Sequence, residues 1–199
     1  MTDPSNKEEN SAKGLAHKQA ADAAFKEGDF MLAVKEYHTA VLHLRGLDSS
    51  PLSLAKVKGE KDVKEEDITE GQKLMSTIYS NMALCHMRLG RPARVTYWAK
   101  QALAVNPFNA KAKFRLVQGL VREGATIKAA ALLDELEKAG PEDPAFAAER
   151  RNIEAMDRKA DAKQRKELAG MFDRANKDAK EAEGTEETKD TEGNDAGRD

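Results

Sequence analysis

Lys111 and Arg115 stand four residues apart in KAKFR. On a helix that spacing puts both on one face, where an ammonium and a planar guanidinium can converge on a carboxylate, the guanidinium in bidentate fashion. Lys18 and Asp22 share the four-residue spacing with opposite charges, so they can pair with each other in the less favourable orientation for such a pair. Asn81, in YSNMA, supplies an uncharged amide donor. These side chains suit the binding of anions. Catalysis has less to work with. His17, His38, His43 and His86 have no partners at metal-ligand spacing, and HExxH, CxxC, GxSxG and glycine-rich phosphate loops are all absent. His86 is expected to be a packing residue, and Cys85 a small buried hydrophobe. The chain is therefore read as a non-enzyme with no metal and no cofactor.

Composition narrows the partner class. Lys plus Arg total 33 against 35 acids, a formal net charge of −2, so no global pull toward nucleic acid exists and charge recognition must come from local segregation. With 34% charged, 40% hydrophobic and 5% aromatic residues, helix is favoured over sheet, and stacking platforms for bases are scarce. One cysteine cannot form an internal disulfide, which fits a reducing compartment. MTDPSNKEENSAKG lacks the apolar core of a signal peptide, and no run is long and apolar enough for a membrane span. A cytoplasmic protein without membrane insertion is expected.

The elements that must carry these side chains are announced by punctuation. Gly90 and Gly124 are 34 residues apart, as are Pro107 and Pro141. A fixed period of that size marks stacked helix hairpins. A register of 34 from Gly14 puts Ala21, Gly28, Ala33, Tyr37 and Ala40 at positions 8, 15, 20, 24 and 27. From Ser76 the same positions hold Ala83, Gly90, Val95, Ala99 and Ala102, and from Ala110 they hold Val117, Gly124, Ala129, Leu133 and Leu136. A helix is expected over 11–26 with Ser11 as its N-cap, and a second over 31–45. Residues 48–75 read as an insertion, because the opening run Asp48, Ser49, Ser50, Pro51 is turn-like and KVKGEKDVKEED is too polar to bury. Thr69 and Gln72 have the spacing of a capping box with Ile68 as a staple, which starts the helix holding Asn81 about two turns before the repeat boundary.

This register resembles the tetratricopeptide repeat (TPR) family, whose small residues at positions 8, 20 and 27 let paired helices approach closely. The third copy departs at Val117 and Leu136. The resemblance implies an all-α fold, three helix hairpins in a right-handed superhelical array with a long C-terminal capping helix. The expected organisation is a disordered stretch 1–10, a three-repeat domain 11–142 (repeats 14–47, 76–109 and 110–143), a capping or extended helix 143–182, and a disordered acidic tail 183–199.

In TPR arrays the first helix of each pair lines the concave face. Here that face would hold Lys18, Asp22, Phe25 and Lys26, then Asn81, Leu84, Met87 and Arg88, then Lys111, Phe114, Arg115, Gln118 and Arg122: six cations and one acid. One subset of the family binds the C-terminal EEVD of the seventy- and ninety-kilodalton heat-shock chaperones through a two-carboxylate clamp. Its pattern is Lys and Asn on the first helix, Asn on the third, and Lys and Arg on the fifth. Lys18, Asn81, Lys111 and Arg115 match it; Asp22 stands where Asn is usual. The resemblance also implies an apolar wall from Phe25, Met87 and Phe114.

The plan from Lys18 to about Lys180 further resembles the TPR half of the large immunophilins and their small stand-alone relatives, carried by the insertion, NPFNAKAKFR and RKELAGMFDR. No room for an upstream prolyl isomerase domain is seen, so no isomerase activity is expected. The basic stripe of the last helix, with Arg150, Arg151, Arg158, Lys159, Lys163, Arg165 and Lys166, would let a second protein bind there, calmodulin included, although a solvated face is the simpler expectation. The expected function is an adaptor or co-chaperone docking on the acidic tail of a heat-shock chaperone. The alternative is a scaffold for a different acidic or extended peptide, from a trafficking or cytoskeletal partner. Asp22 and the acidic tail oppose nucleic-acid binding.

Overall fold

The structure is a computed structural model that describes residues 4–45, 64–140 and 143–191. Among these, every regular element is helical: α1 (Pro4–Glu27), α2 (Phe30–Leu44), a 3-10 turn (Glu65–Asp67), α3 (Glu70–Arg88), α4 (Pro92–Val105), α5 (Ala110–Arg122), α6 (Thr126–Ala139) and α7 (Pro144–Thr191). The chain divides into two compact units, one ending at Ile153 and the other beginning at Glu154. In the first, α1 packs on α2, α3 on α4 and α5 on α6, with α2·α3, α4·α5 and α3·α5 joining the pairs.

The pairs turn at the same device each time. Gly28, Gly90 and Gly124 adopt φ of 87°, 67° and 80°, the left-handed conformation that glycine reaches without steric cost. Each donates its N–H to the carbonyl three residues back (Phe25, Met87, Val121). The following residue donates to the carbonyl five back (Ala24, His86, Leu120). That pair of bonds is a Schellman cap, and its repetition explains the 34-residue spacing of Gly90 and Gly124.

Between the turns, the non-glycine register positions are all buried. Ala21, Ala33, Ala40, Ala83, Val95, Ala99, Ala102, Val117, Ala129 and Leu133 are fully excluded from solvent, and Tyr37 and Leu136 nearly so. Small side chains there let the helices approach closely. In the third copy Val117 fills position 8, and the close approach is moved to Gly119. A Cβ on Gly119 would lie 2.7 Å from Thr96 Oγ1 and 3.1 Å from the Thr96 backbone nitrogen. Gly14 plays the same part at the start of the first copy, 2.5 Å from Leu44 Cγ by the same construction.

Helix starts follow local chemistry. Thr69 and Gln72 form the expected capping box, Thr69 Oγ1 accepting from the Gln72 N–H at 3.2 Å and Gln72 Oε1 from the Thr69 N–H at 3.0 Å. Ile68 beside them is buried. α1 corrects the expected start at Ser11: it begins at Pro4, whose ring fixes a helical φ and has no N–H to leave unsatisfied in the first turn. The helix expected to end at 182 is likewise longer, since α7 continues to Thr191. Residues 1–3, the insertion from 48 to 63, Pro141 and the tail beyond 191 lie outside the described residues.

Within the first unit, the opening turns of α7 pack on the third pair. Phe146 sits 5.0 Å from the Phe114 ring, and Ile153 is buried. Arg150 reaches Asp134 at 2.5 Å and Glu137 at 2.6 Å, which holds its guanidinium firmly charged. In the second unit, Leu168, Met171 and Phe172 are exposed.

Candidate functional site

Lys18 and Asp22 are one turn apart on α1, and the Lys18 Nζ lies 2.7 Å from Asp22 Oδ2. The other oxygen, Oδ1, accepts the hydroxyl of Tyr37, which reaches across from α2. Asn81, on α3, donates from Nδ2 to the same Tyr37 oxygen at 3.2 Å. One hydrogen-bonded chain thus ties the first three helices together at Lys18, Asp22, Tyr37 and Asn81. Burial, with the Asp22 carboxylate second, holds the Tyr37 phenol far above its ordinary pKa, so it remains a donor across physiological pH.

Asp22, Tyr37 and Asn81 open onto a cavity of about 200 Å³ that Phe25, Lys26 and Leu84 also line. Beside Asn81, Ser80 accepts a hydrogen bond from the Arg115 guanidinium, which crosses from α5. Burial lowers the Arg115 pKa, while Cys85 and Tyr37 favour its charge; a guanidinium stays protonated regardless. Lys111, one turn earlier on α5, is exposed and has no hydrogen-bond or ion-pair partner among the described residues. The two halves of the site therefore differ. In the α1 half Lys18 is matched by a carboxylate of the same helix, and Lys26 lines the cavity beside that carboxylate. The α5 half presents one unpaired ammonium and one guanidinium resting on a neutral hydroxyl.

The residues of the expected apolar wall fall in different places. Phe25 lines the cavity and meets Phe30 edge-on at 5.4 Å between centroids. Leu84 stands with it, whereas Met87 and Phe114 are absent from the lining. Phe114 meets Phe146 of α7 in a tilted ring contact at 5.0 Å between centroids. Tyr37 is the functional candidate that register alone hides, because position 24 is a core position. Its hydroxyl was the available signal, since a buried phenol needs a polar partner.

The histidines stay apart from this cavity. His17 Nδ1 lies 2.7 Å from Glu36 Oε2, and its ring stacks on His43 at 5.5 Å. His38 meets Trp98 edge-on. His86 is buried with its Nδ1 unpartnered, and burial, reinforced by Arg91, Arg94 and His38, lowers its pKa to about 4. Burial pushes the Cys85 thiol up to about 12, which leaves it an unreactive core residue at neutral pH. Among the described residues no three His, Cys, Asp or Glu side chains gather as metal ligands, and no helix is long and apolar enough to cross a membrane.

No protein-family model matches the chain. Solved structures do. The C-terminal TPR-containing domain of a Plasmodium falciparum protein described as FK506-binding aligns with a TM-score of 0.61 at 16% identity, over 80% of this chain and 95% of that one. The TPR domain of Arabidopsis OM64 gives 0.55 at 16% identity, over 73% and 98%. The first TPR of Spaghetti (RPAP3), solved bound to the HSP90 peptide SRMEEVD, gives 0.53 at 19% identity, over 73% and 93%. The fold is a tetratricopeptide array. Within that TPR frame α1, α3 and α5 are the first helices of their pairs, and they carry Lys18 and Asp22, Asn81, and Lys111 and Arg115 respectively.

Proposed function

We propose that this chain is a non-catalytic TPR adaptor whose α1–α3–α5 face binds an acidic peptide, of the kind that ends in EEVD on a heat-shock chaperone. The observation that carries this reading is the α5 half of the site. Lys111 is unpaired, and Arg115 reaches to Ser80 beside the Asn81 amide, so two cations and a neutral donor stand on adjoining helices. A carboxylate offered there meets charge-assisted donors, in bidentate fashion at the guanidinium. Support comes from the likeness in fold to a TPR domain that holds the peptide SRMEEVD.

The test is a calorimetric titration with SRMEEVD. Binding is expected in the micromolar range typical of short charged peptides, about −8 kcal/mol. Lys111→Ala should weaken it tenfold or more, since charge-assisted hydrogen bonds contribute about 1.5–3 kcal/mol each. Undiminished binding by Lys111→Ala would remove α5 from the site.

A second reading, a TPR scaffold for a different acidic or extended peptide, is favoured by the internal Lys18–Asp22 pair. Displacement of a natural partner by free SRMEEVD separates the two: competition supports the chaperone tail, and its absence supports another ligand for the groove.

A further inference from the structure

Asp22 has both carboxylate oxygens engaged before any ligand arrives. Lys18 holds Oδ2 at 2.7 Å and the Tyr37 hydroxyl holds Oδ1. The Lys18 charge is therefore answered within its own helix. Tyr37 in turn accepts from Asn81, so that amide is also partly spent. Asp22 still keeps about a third of its side chain exposed, and it lines the cavity with Phe25 and Leu84. A ligand carboxylate entering beside it would meet a like charge at short range. An N–H donor would meet an acceptor, because a carboxylate has about four lone-pair sites and only two are occupied here.

On the α5 half nothing comparable exists. Among the described residues Lys111 has no acidic partner, and the hydrogen bond of Arg115 goes to the neutral Ser80 hydroxyl. The groove is thus uneven along its length: its α1 end sets the one acid, Asp22, beside Lys18 and Lys26, and its α5 end sets Lys111 and Arg115 with no acidic partner among the described residues.

We propose that this groove reads one carboxylate rather than two: a single acidic side chain on Lys111 and Arg115, in SRMEEVD that of the final Asp, with an uncharged N–H group of the ligand at Asp22. A free peptide C-terminus is then dispensable, and an acidic segment from the interior of a partner chain serves as well. Asp22 becomes the residue that sets this specificity, with Tyr37 and Lys18 positioning it. The inference rests on the peptide-groove reading above and specifies its ligand.

Three peptides test it by calorimetry against the full chain: SRMEEVD with a free C-terminus, the same peptide with its C-terminus amidated, and SRMEEVN with a free C-terminus. The wild type should bind the amidated peptide at least as tightly as the free acid, and SRMEEVN about fivefold or more weaker than SRMEEVD. Asp22→Asn, which keeps an oxygen to accept from Tyr37, should gain about fivefold or more for the free acid and lose affinity when that acid is amidated. Fivefold weaker binding of the amidated peptide to the wild type would overturn the one-carboxylate proposal while leaving the peptide groove intact. If none of the three binds, the groove reading fails and takes this inference with it.

Discussion

Tyr37 is buried to within 1% of its surface, yet its oxygen both donates to Asp22 and accepts from Asn81. Tyr37→Phe would leave Asp22 Oδ1 and the Asn81 amide without this partner, and both are only partly open to water that could replace it. The expected loss is about 1–2 kcal/mol, read as a lower urea midpoint at unchanged slope. His86 makes a separate prediction. Its imidazole is buried and neutral, with a folded pKa of about 4 against an ordinary value of 6.5. The unfolded chain takes up that proton first, so the stability due to neutral His86 is present above pH 6.5 and is lost as pH falls toward 4. Urea denaturation at pH 7 and pH 4.5 should show a loss of about 2 kcal/mol from this group, smaller in His86→Gln. Single residues are also where sequence reasoning meets its limits. Lys111, Arg115 and Asn81 are legible because type and spacing suffice to place them on the first helices. Tyr37 is not, because a period reports which face a residue lies on and says nothing about where its hydroxyl points. The ring partner of Phe114 escapes the sequence for a related reason: Phe146 belongs to α7, more than thirty residues on, and no local spacing links them.

Helix ends are the most legible elements. Three glycines in one register position form three Schellman caps, and Thr69 with Gln72 forms the capping box in full. Both motifs are local, needing only residues within about five of one another, which is why sequence reveals them. The start of α1 escapes the sequence reading because Ser11 is a good cap by type, but Pro4 lies upstream and the intervening residues are compatible with helix. Contacts between helices are less visible. Nothing in the sequence announces that Gly119, rather than position 8, brings α5 against α4. Gly119→Ala would press its methyl into Thr96 at 2.7 Å from Oγ1, with backbone 3.1 Å away and little room to yield. A destabilisation of about 1–3 kcal/mol is expected from such overpacking. Gly170→Ala on α7 meets nothing within 4 Å and should be neutral or slightly stabilising through helix propensity. Paired thermal melts of the two variants check the contrast, and equal melting points would show that the α4–α5 approach is looser than the geometry indicates.

At the scale of the molecule, charge segregation matters more than total charge. A net charge of −2 gives no attraction for an acidic ligand at long range, so capture depends on cations gathered on one face. Of these, Lys18 is cancelled by Asp22, and Lys26, Lys111 and Arg115 are free of acidic partners among the described residues. Binding of SRMEEVD should therefore weaken with ionic strength, but moderately, as expected for few effective charges on a partly screened face. Raising salt from about 0.05 M to about 0.5 M shortens the screening length from about 14 Å to about 4 Å, and several-fold weaker binding is expected. Asp22→Asn frees the Lys18 charge and should steepen that dependence along with the affinity. A chain cut after Ile153 should retain both effects, because every residue assigned to the groove lies in the first compact unit. Fluorescence anisotropy of a labelled peptide across the salt series, with full-length, Asp22→Asn and shortened chains side by side, measures all three slopes. A flat response in the full-length chain would mean that Lys111 and Arg115 do not carry the binding. A response lost only in the shortened chain would move the recognition into the second unit.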